Sequence, residues 1–398
     1  MYRVISLYTG AGGLDFGFEA AGFATAVAVE MSKACCANLR SNRDWPVLEG
    51  DIHDFGSDAI LSAADLEAGS ADVLIGGPPC QPFSKSGYWA KGDARRLDDP
   101  RADTLDAYLR VLRDTRPKAF LLENVPGLAF KGKSEGLERV LDGVAAINKL
   151  HGTDYRVSWQ IVNAADYGAP QMRERVVMIG SRDGREFQFP EPTHGPGRIA
   201  RHHSVWDALG DLPERPNETG LKMTGKWADL LPTIPEGQNY LWHTERGGGE
   251  PLFGWRRRYW NFLLKLAKDR PSWTIQAQPG SATGPFHWKN RKLSSRELCR
   301  LQTFPDNVTL KGSRGDIQRL VGNAVPSVLA EVMARAIREQ LLGNMHHGGA
   351  LELEPPFRDD CPEAESVKSL PKKYAGLKGE HEPHPGEGRG YAAARRVA

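Results

Sequence analysis

The chain has 398 residues, of which 40% are hydrophobic and 26% charged, with a formal net charge of +2. That composition describes a globular protein with length for two domains or one large one, and it excludes a histone-like polycation. The five cysteines, Cys35, Cys36, Cys80, Cys299 and Cys361, are scattered. An odd set without paired metal-site spacing makes a poor disulfide framework, points to a reducing cytoplasm and leaves room for one reactive thiol. No run of about 20 apolar residues occurs and residues 1–14 lack the apolar core of a signal peptide, so no membrane association is expected.

From residue 2 to about residue 180, short apolar runs alternate with helical spacing. Residues 4–8 read as a buried strand, 14–21 as a helix and 24–30 as a second strand. Further strands are predicted at 73–75, 119–122 and 176–179. Residues 104–116 carry Leu105, Tyr108, Leu109 and Leu112 at helical intervals. Strands alternating with helices predict an α/β fold with a doubly wound, mainly parallel sheet. Between Gly195 and Arg300 the character changes: 17 Lys plus Arg stand against 10 Asp plus Glu, an excess of 17 − 10 = 7, and seven of the ten tryptophans fall there. Basic charge among aromatics suits a nucleic-acid surface, and equally a tryptophan-rich core under solvated charges. Residues 321–342 predict a loop and then an amphipathic helix with Val328, Leu329, Val332, Ile337 and Leu341 on one face. The last 56 residues hold 8 Gly and 6 Pro without apolar periodicity, so 343–398 is expected to be a disordered, dispensable tail.

Tyr8-Thr9-Gly10-Ala11-Gly12-Gly13 follows the first strand and opens the first helix. Glycines there let the backbone approach a ligand, and free amides at a helix start favour an anionic group. Glu30 ends the second strand, where a carboxylate suits ribose hydroxyls. Asp51 and Ile52 follow, the first suited to an adenine amino group and the second to the ring face. Asp15 stands where a dinucleotide turn carries glycine, which argues against a nicotinamide cofactor. Gly76-Gly77-Pro78-Pro79-Cys80-Gln81-Pro82-Phe83-Ser84 then follows a strand. Two glycines and two prolines before a cysteine make a stiff loop at a strand's carboxyl end, and there a cysteine is expected to be a nucleophile. Glu123-Asn124-Val125 ends the next strand with a carboxyl group, and Gln171-Met172-Arg173-Glu174-Arg175 precedes another with guanidinium groups.

At these motifs the sequence resembles the DNA cytosine-5 methyltransferases, in order and along nearly the whole chain to Leu342. Residues 296–305 and Gly322-Asn323-Ala324-Val325-Pro326 resemble that family's later motifs. Tyr8 stands where the family usually carries Phe, with the aromatic face kept. The resemblance implies S-adenosylmethionine as cofactor, held by Tyr8, Gly10, Gly12, Gly13, Glu30, Asp51, Ile52, Pro78, Asn323 and Val325. It implies transfer of a methyl group to C5 of a cytosine flipped out of duplex DNA, through attack of Cys80 on C6. Glu123 would hold and protonate N3, while Arg173 and Arg175 steady the base, with Arg173 expected to make the closer contact.

The implied layout is a cofactor-binding and catalytic domain at 1–190, a target-recognition domain at 191–311, and a segment at 312–342 rejoining the first domain. Gln81, Ser84, Arg256, Arg257, Arg258, Gln276 and Gln278 are candidate DNA contacts, the arginine run for base edges, phosphates or plain solvation. The expected setting is a cytoplasmic, nucleoid-associated monomer acting on double-stranded DNA in a restriction-modification system, any endonuclease partner working separately; a solitary or phage enzyme would have the same sequence. A tRNA cytosine methyltransferase of the same fold is the first rival, but that branch's Cys-Phe-Thr element is absent. A silent DNA-binding protein would need none of Cys80, Glu123 and Arg173, and a nicotinamide dehydrogenase leaves the Pro-Pro-Cys-Gln element unexplained.

Overall fold

The computed structural model describes residues 1–79, 103–129, 135–254, 260–343 and 349–377. Among them, seven strands form one sheet in the order β3-β2-β1-β4-β5-β7-β6. Strands β1 (Tyr2–Leu7), β2 (Phe23–Glu30), β3 (Val47–Glu49), β4 (Val73–Gly76) and β5 (Ala119–Asn124) run parallel. Strand β7 (Glu174–Ser181) lies antiparallel between β5 and β6 (Arg156–Asn163). This is the mainly parallel α/β sheet that the sequence predicts. Two strands carry no sequence signal: β3 is only 3 residues long, and edge strand β6 is largely exposed, so neither shows an apolar pattern.

Both faces of the sheet are covered, which is why its central strands read as unbroken apolar runs. Ile5, Leu7, Leu74, Phe120 and Leu122 pack on one side with α3 (Ser57–Ala64), α4 (Asp103–Thr115) and α5 (Glu135–His151). Val4, Val73, Ile75 and Leu121 pack on the other with α1 (Gly13–Ala20) and α9 (Ser327–Leu341). Helix α2 (Lys33–Asn42) follows β2, and α6 (Val205–Leu209), α7 (Ser295–Leu301) and α8 (Arg314–Asn323) belong to the later chain. Asp15 is fully buried and accepts hydrogen bonds from Ser6 Oγ at 3.1 Å and Thr25 Oγ1 at 3.0 Å, tying α1 to β1 and β2. Burial pushes its carboxyl up to about 6 against those two donors.

The closing helix returns to the first. A side-chain carbon at Gly17 would lie 2.4 Å from Ala330 Cβ and from the Ser327 carbonyl, so glycine alone permits α9 to lie this close to α1. The stretch Arg314–Leu341 has the length and mean apolarity of a bilayer span, but charged residues interrupt it and it holds no unbroken apolar run. It is mostly inside the core, and Ala324-Val325-Pro326 interrupts it between α8 and α9.

The expected disordered tail is overturned for residues 349–377, which form an irregular strap along the body. Its Gly and Pro content excludes long helices and strands, and order comes instead from contacts with distant residues. Buried Glu331 accepts the Glu352 and Leu353 amides at 2.8 and 3.0 Å, and buried Asp207 accepts the Arg358 amide at 2.7 Å. Trp206 Nε1 donates to Asp360 at 3.0 Å, and Lys268 Nζ to the Glu363 carbonyl at 2.7 Å. Tyr374 is buried and stacks on Trp227 with an interplanar angle of 12°.

The tryptophan-rich window divides between its two readings. Trp227 packs with Tyr240, Phe253 and Phe262 in an aromatic core, and Trp288 is buried beside Trp206. Trp260 and Trp273 stay exposed with ring centroids 5.5 Å apart. Several of the window's basic residues are paired, Arg201 with Asp207, Arg291 with Glu297 and Arg300 with Asp211.

Candidate active site

Strand order reverses between β1 and β4, and in open α/β sheets that crevice, at the carboxyl ends of the strands, is where ligands bind. The chain leaves β1 through positive φ at Tyr8 (55°), Gly10 (59°) and Gly12 (87°), and Gly12 caps α1. Glu30 Oε2 accepts the Gly10 amide and Oε1 the Ser32 amide, each at 2.8 Å, so the end of β2 is fixed to the glycine turn. Each carboxylate oxygen keeps a lone pair for a further donor. Asp51 is exposed and spends one oxygen on the His53 amide, while Ile52 beside it is buried. The Val325 carbonyl would lie 2.4 Å from a side-chain carbon at Gly13, so this motif rests directly on the turn. The Tyr8 hydroxyl donates to the Thr104 carbonyl at 2.7 Å, and burial raises its pKa. Pro78 is buried after β4, and Asn323 is exposed at the end of α8.

The acid and its cation follow from strand register. Glu123 lies opposite Val177, and β7 runs antiparallel, so Arg175 is the diagonal neighbour of Glu123 on the same face. Arg175 Nε lies 2.6 Å from Glu123 Oε1, with both side chains nearly buried. Burial raises the pKa of the Glu123 carboxyl, opposed first by the charge of Arg175 and then by that of Arg173. A side-chain carbon at Gly77 would sit 2.8 Å from Glu123 Oε2, so the Gly-Gly-Pro-Pro loop packs on the acid itself. Asn124 Nδ2 donates to the Pro78 carbonyl at 3.1 Å and holds that loop from beneath. Sequence reasoning passed over Asn124, although its place directly after Glu123 was the available signal.

The two arginines have different protein partners. Arg173 is 1% exposed and donates to the carbonyls of Ile275 at 3.2 Å and Gly322 at 2.7 Å. It therefore clasps the 275–277 segment against α8, while Arg175 makes the direct contact with the acid. Buried Gln171 and Gln302 extend the clasp: Gln171 bonds the Ile275 amide and the Leu301 carbonyl, and Gln302 the carbonyls of Val321 and Ala324. Gln276 is half-buried with its carbonyl accepting from Gln318 at 2.6 Å, and Gln278 is exposed. Cys80, Gln81, Ser84, Arg256, Arg257 and Arg258 lie outside the described residues.

A glycine turn at the switch point and an acid–arginine pair on the neighbouring strands define an α/β enzyme of the methyltransferase fold. The structure matches that of the Entamoeba histolytica methyltransferase EhMeth with a TM-score of 0.60 at 15% identity, covering 86% of this chain and 99% of that one. The chain belongs to the C-5 cytosine-specific DNA methylase family, whose model matches residues 2–339. It is 41% identical over 370 residues to the Type II methyltransferase M.SacI of Streptomyces achromogenes, covering 85% of this chain and 93% of the relative. To the Type II methyltransferase M.AquIA of a Picosynechococcus strain it is 45% identical over 225 residues, 53% of this chain and 89% of that one. The protein is a DNA (cytosine-5-)-methyltransferase.

Proposed function

We propose that this enzyme methylates cytosine within a specific duplex DNA sequence as the modification arm of a Type II restriction-modification system. The observation that carries the reading is the buried Glu123–Arg175 pair packed against Gly77, two residues before Pro79-Cys80. Its relatives named as Type II methyltransferases span most of the chain, which supports the setting. The endonuclease acts as a separate protein, the methylase as a monomer in the cytoplasm and on the nucleoid. Residues 1–190 form the catalytic unit, 191–311 the recognition unit and 312–342 the return segment.

S-adenosylmethionine, when bound, supplies the methyl group. The residues fit it: Glu30 and Asp51 offer acceptors for hydroxyl and amino donors, Ile52 an apolar face, and the turn at Gly10, Gly12 and Gly13 the start of a helix for a carboxylate. Tyr8, Pro78, Asn323 and Val325 complete the set. Cytosine C5 is a weak nucleophile, so the Cys80 thiolate attacks C6 of the flipped base and converts C5 into an enamine-like carbon. Glu123, its pKa raised by burial, gives a proton to N3 as charge develops there. Arg175 holds Glu123 and the base together, and Arg173 fixes the floor from behind. After transfer C5 loses its proton, the thiol departs from C6 and the ring regains aromaticity. Gln81, Ser84, Arg256, Arg257, Arg258, Gln276 and Gln278 contact the DNA.

Glu123→Gln is expected to slow methyl transfer by about 10²–10⁴-fold, the usual loss for a positioned general acid, with smaller changes in DNA and cofactor binding. Single-turnover assays on duplex DNA measure it, and a wild-type rate removes the acid's role. The same assay run on tRNA tests the rival substrate.

The arginines should separate. Arg173→Ala leaves two buried carbonyls without donors, at about 1–3 kcal/mol each, so its melting temperature should fall by about 5–10 °C. Arg175→Ala should cost far less stability and most of the turnover. Thermal melts and rates on the same preparations check this, and equal destabilisation by both variants contradicts the division.

A further inference from the structure

His194, His203 and Glu354 come together from the loop after β7, the approach to α6 and the strap. Their ligand atoms all lie within 4.8 Å of one another. Glu354 Oε1 is 2.7 Å from His194 Nε2 and 2.8 Å from His203 Nε2, and both imidazoles are buried. Phe357 stacks on His203 at 4.0 Å and 14°, closing one side.

The hydrogen-bond count does not close within this cluster. A neutral imidazole has one donor and one acceptor nitrogen. His194 Nε2 lies off the line a hydrogen bond to Glu354 requires, and His203 Nδ1 also has no partner; both atoms are buried. The polar atom facing His203 Nδ1 is Asp207 Oδ2 at 3.8 Å, itself an acceptor. With the proton on Nε2, the Nδ1 lone pair faces the Asp207 carboxylate. With the proton on Nδ1, the Nε2 lone pair faces the Glu354 oxygen. Either neutral tautomer sets two acceptors against each other.

A divalent cation removes the conflict. Both Nε2 lone pairs and a Glu354 oxygen would point at the metal, and each Nδ1–H would turn outward, that of His194 into a hydrogen bond with Thr193 Oγ1 at 2.9 Å and that of His203 toward the Asp207 carboxylate 3.8 Å away. An outward hydrogen bond such as the first holds a ligating histidine in register. Two imidazoles and one carboxylate suit zinc better than calcium or magnesium, which prefer all-oxygen shells. We propose that His194, His203 and Glu354 form a structural zinc site that fastens the C-terminal strap to the body, with water or the second Glu354 oxygen as fourth ligand. The site lies apart from the methylation chemistry and does not depend on it.

The test uses full-length protein stripped with a chelator and titrated with zinc chloride, followed by calorimetry, elemental analysis and thermal melts. About one zinc per chain should bind, with a rise of several degrees in melting temperature. Cobalt in its place should give visible d–d bands without a thiolate charge-transfer band, which separates this site from any cysteine. Glu354→Gln and His203→Gln should each weaken zinc binding by at least about tenfold, and Cys361→Ser should not. Absence of binding by the wild-type chain at about 10 µM zinc overturns the proposal. Unchanged zinc affinity in both ligand variants overturns it equally.

Discussion

Duplex DNA carrying 5-fluorocytosine at the target position is expected to become covalently attached to the wild-type enzyme in the presence of S-adenosylmethionine, and Cys80→Ala is expected to abolish both that adduct and turnover. Methyl transfer to the fluorinated C5 can proceed, but the elimination that follows would require fluorine to leave as a cation. The bond between Cys80 sulfur and C6 therefore persists. The other thiols are poor substitutes. Burial pushes Cys35 up to about 12, Cys36 to about 11 and Cys299 to about 12, with the Glu30 carboxylate adding to the first two. At pH 8 such groups hold less than about one thiolate in a thousand. Cys361 is exposed, its pKa is also raised, and it belongs to the strap. In the sequence Cys80 stands two residues beyond Pro78, whose carbonyl Asn124 holds. Substitution of Cys35, Cys36, Cys299 or Cys361 should preserve the adduct. Peptide mapping of the cross-link to another residue, or robust methylation by Cys80→Ala, refutes the assignment.

The glycine turn, Gly77-Pro78-Pro79 and Glu123 are legible because each marks a strand's carboxyl end, and local spacing alone places it on the rim. The central strands were legible for a related reason: burial on both faces makes them short apolar runs, as at Leu74 and Phe120. What stayed hidden depends on register or on distant partners. Nothing local distinguishes Arg173 from Arg175, two residues apart with the same side chain. The difference arises when the antiparallel pairing of β7 with β5 sets Arg175 beside Glu123 and leaves Arg173 facing Ile275 and Gly322. Asp15 breaks the dinucleotide pattern in the sequence, and only the fold shows that it is also the acceptor that joins α1 to two strands. The charge excess of the second region overstated its free surface, since Arg201, Arg291 and Arg300 have acidic partners. The order of the strap has no local signal, because its apolar content is low and its anchors are backbone amides and ion pairs with no periodicity.

Cutting the chain after Gly343 is accordingly expected to lower the melting temperature by about 10 °C or more, which reverses the sequence expectation of a dispensable tail. Fully buried Glu331 would lose the amides of Glu352 and Leu353 and keep only Arg335 as a charged partner. Asp207 would lose the Arg358 amide, and Lys268, 2% exposed, would lose the Glu363 carbonyl and the Glu365 carboxylate. Uncovering Trp227 by removing Tyr374 adds an apolar loss. Leaving a buried charge short of its partners costs roughly 1–3 kcal/mol each, so three such sites amount to about 3–9 kcal/mol. Large domains shift by about 2–4 °C per kcal/mol, which gives the expected drop. Residues 191–311 should suffer first, because Trp206, Asp207, Trp227 and Lys268 all lie there. Hydrogen exchange should then show early opening there while β1, β4 and β5 stay protected. A second truncation after Leu377 keeps every one of these contacts and should melt as the full chain does. If the two truncations melt alike at the full-length temperature, the strap contributes nothing to stability and its contacts are incidental.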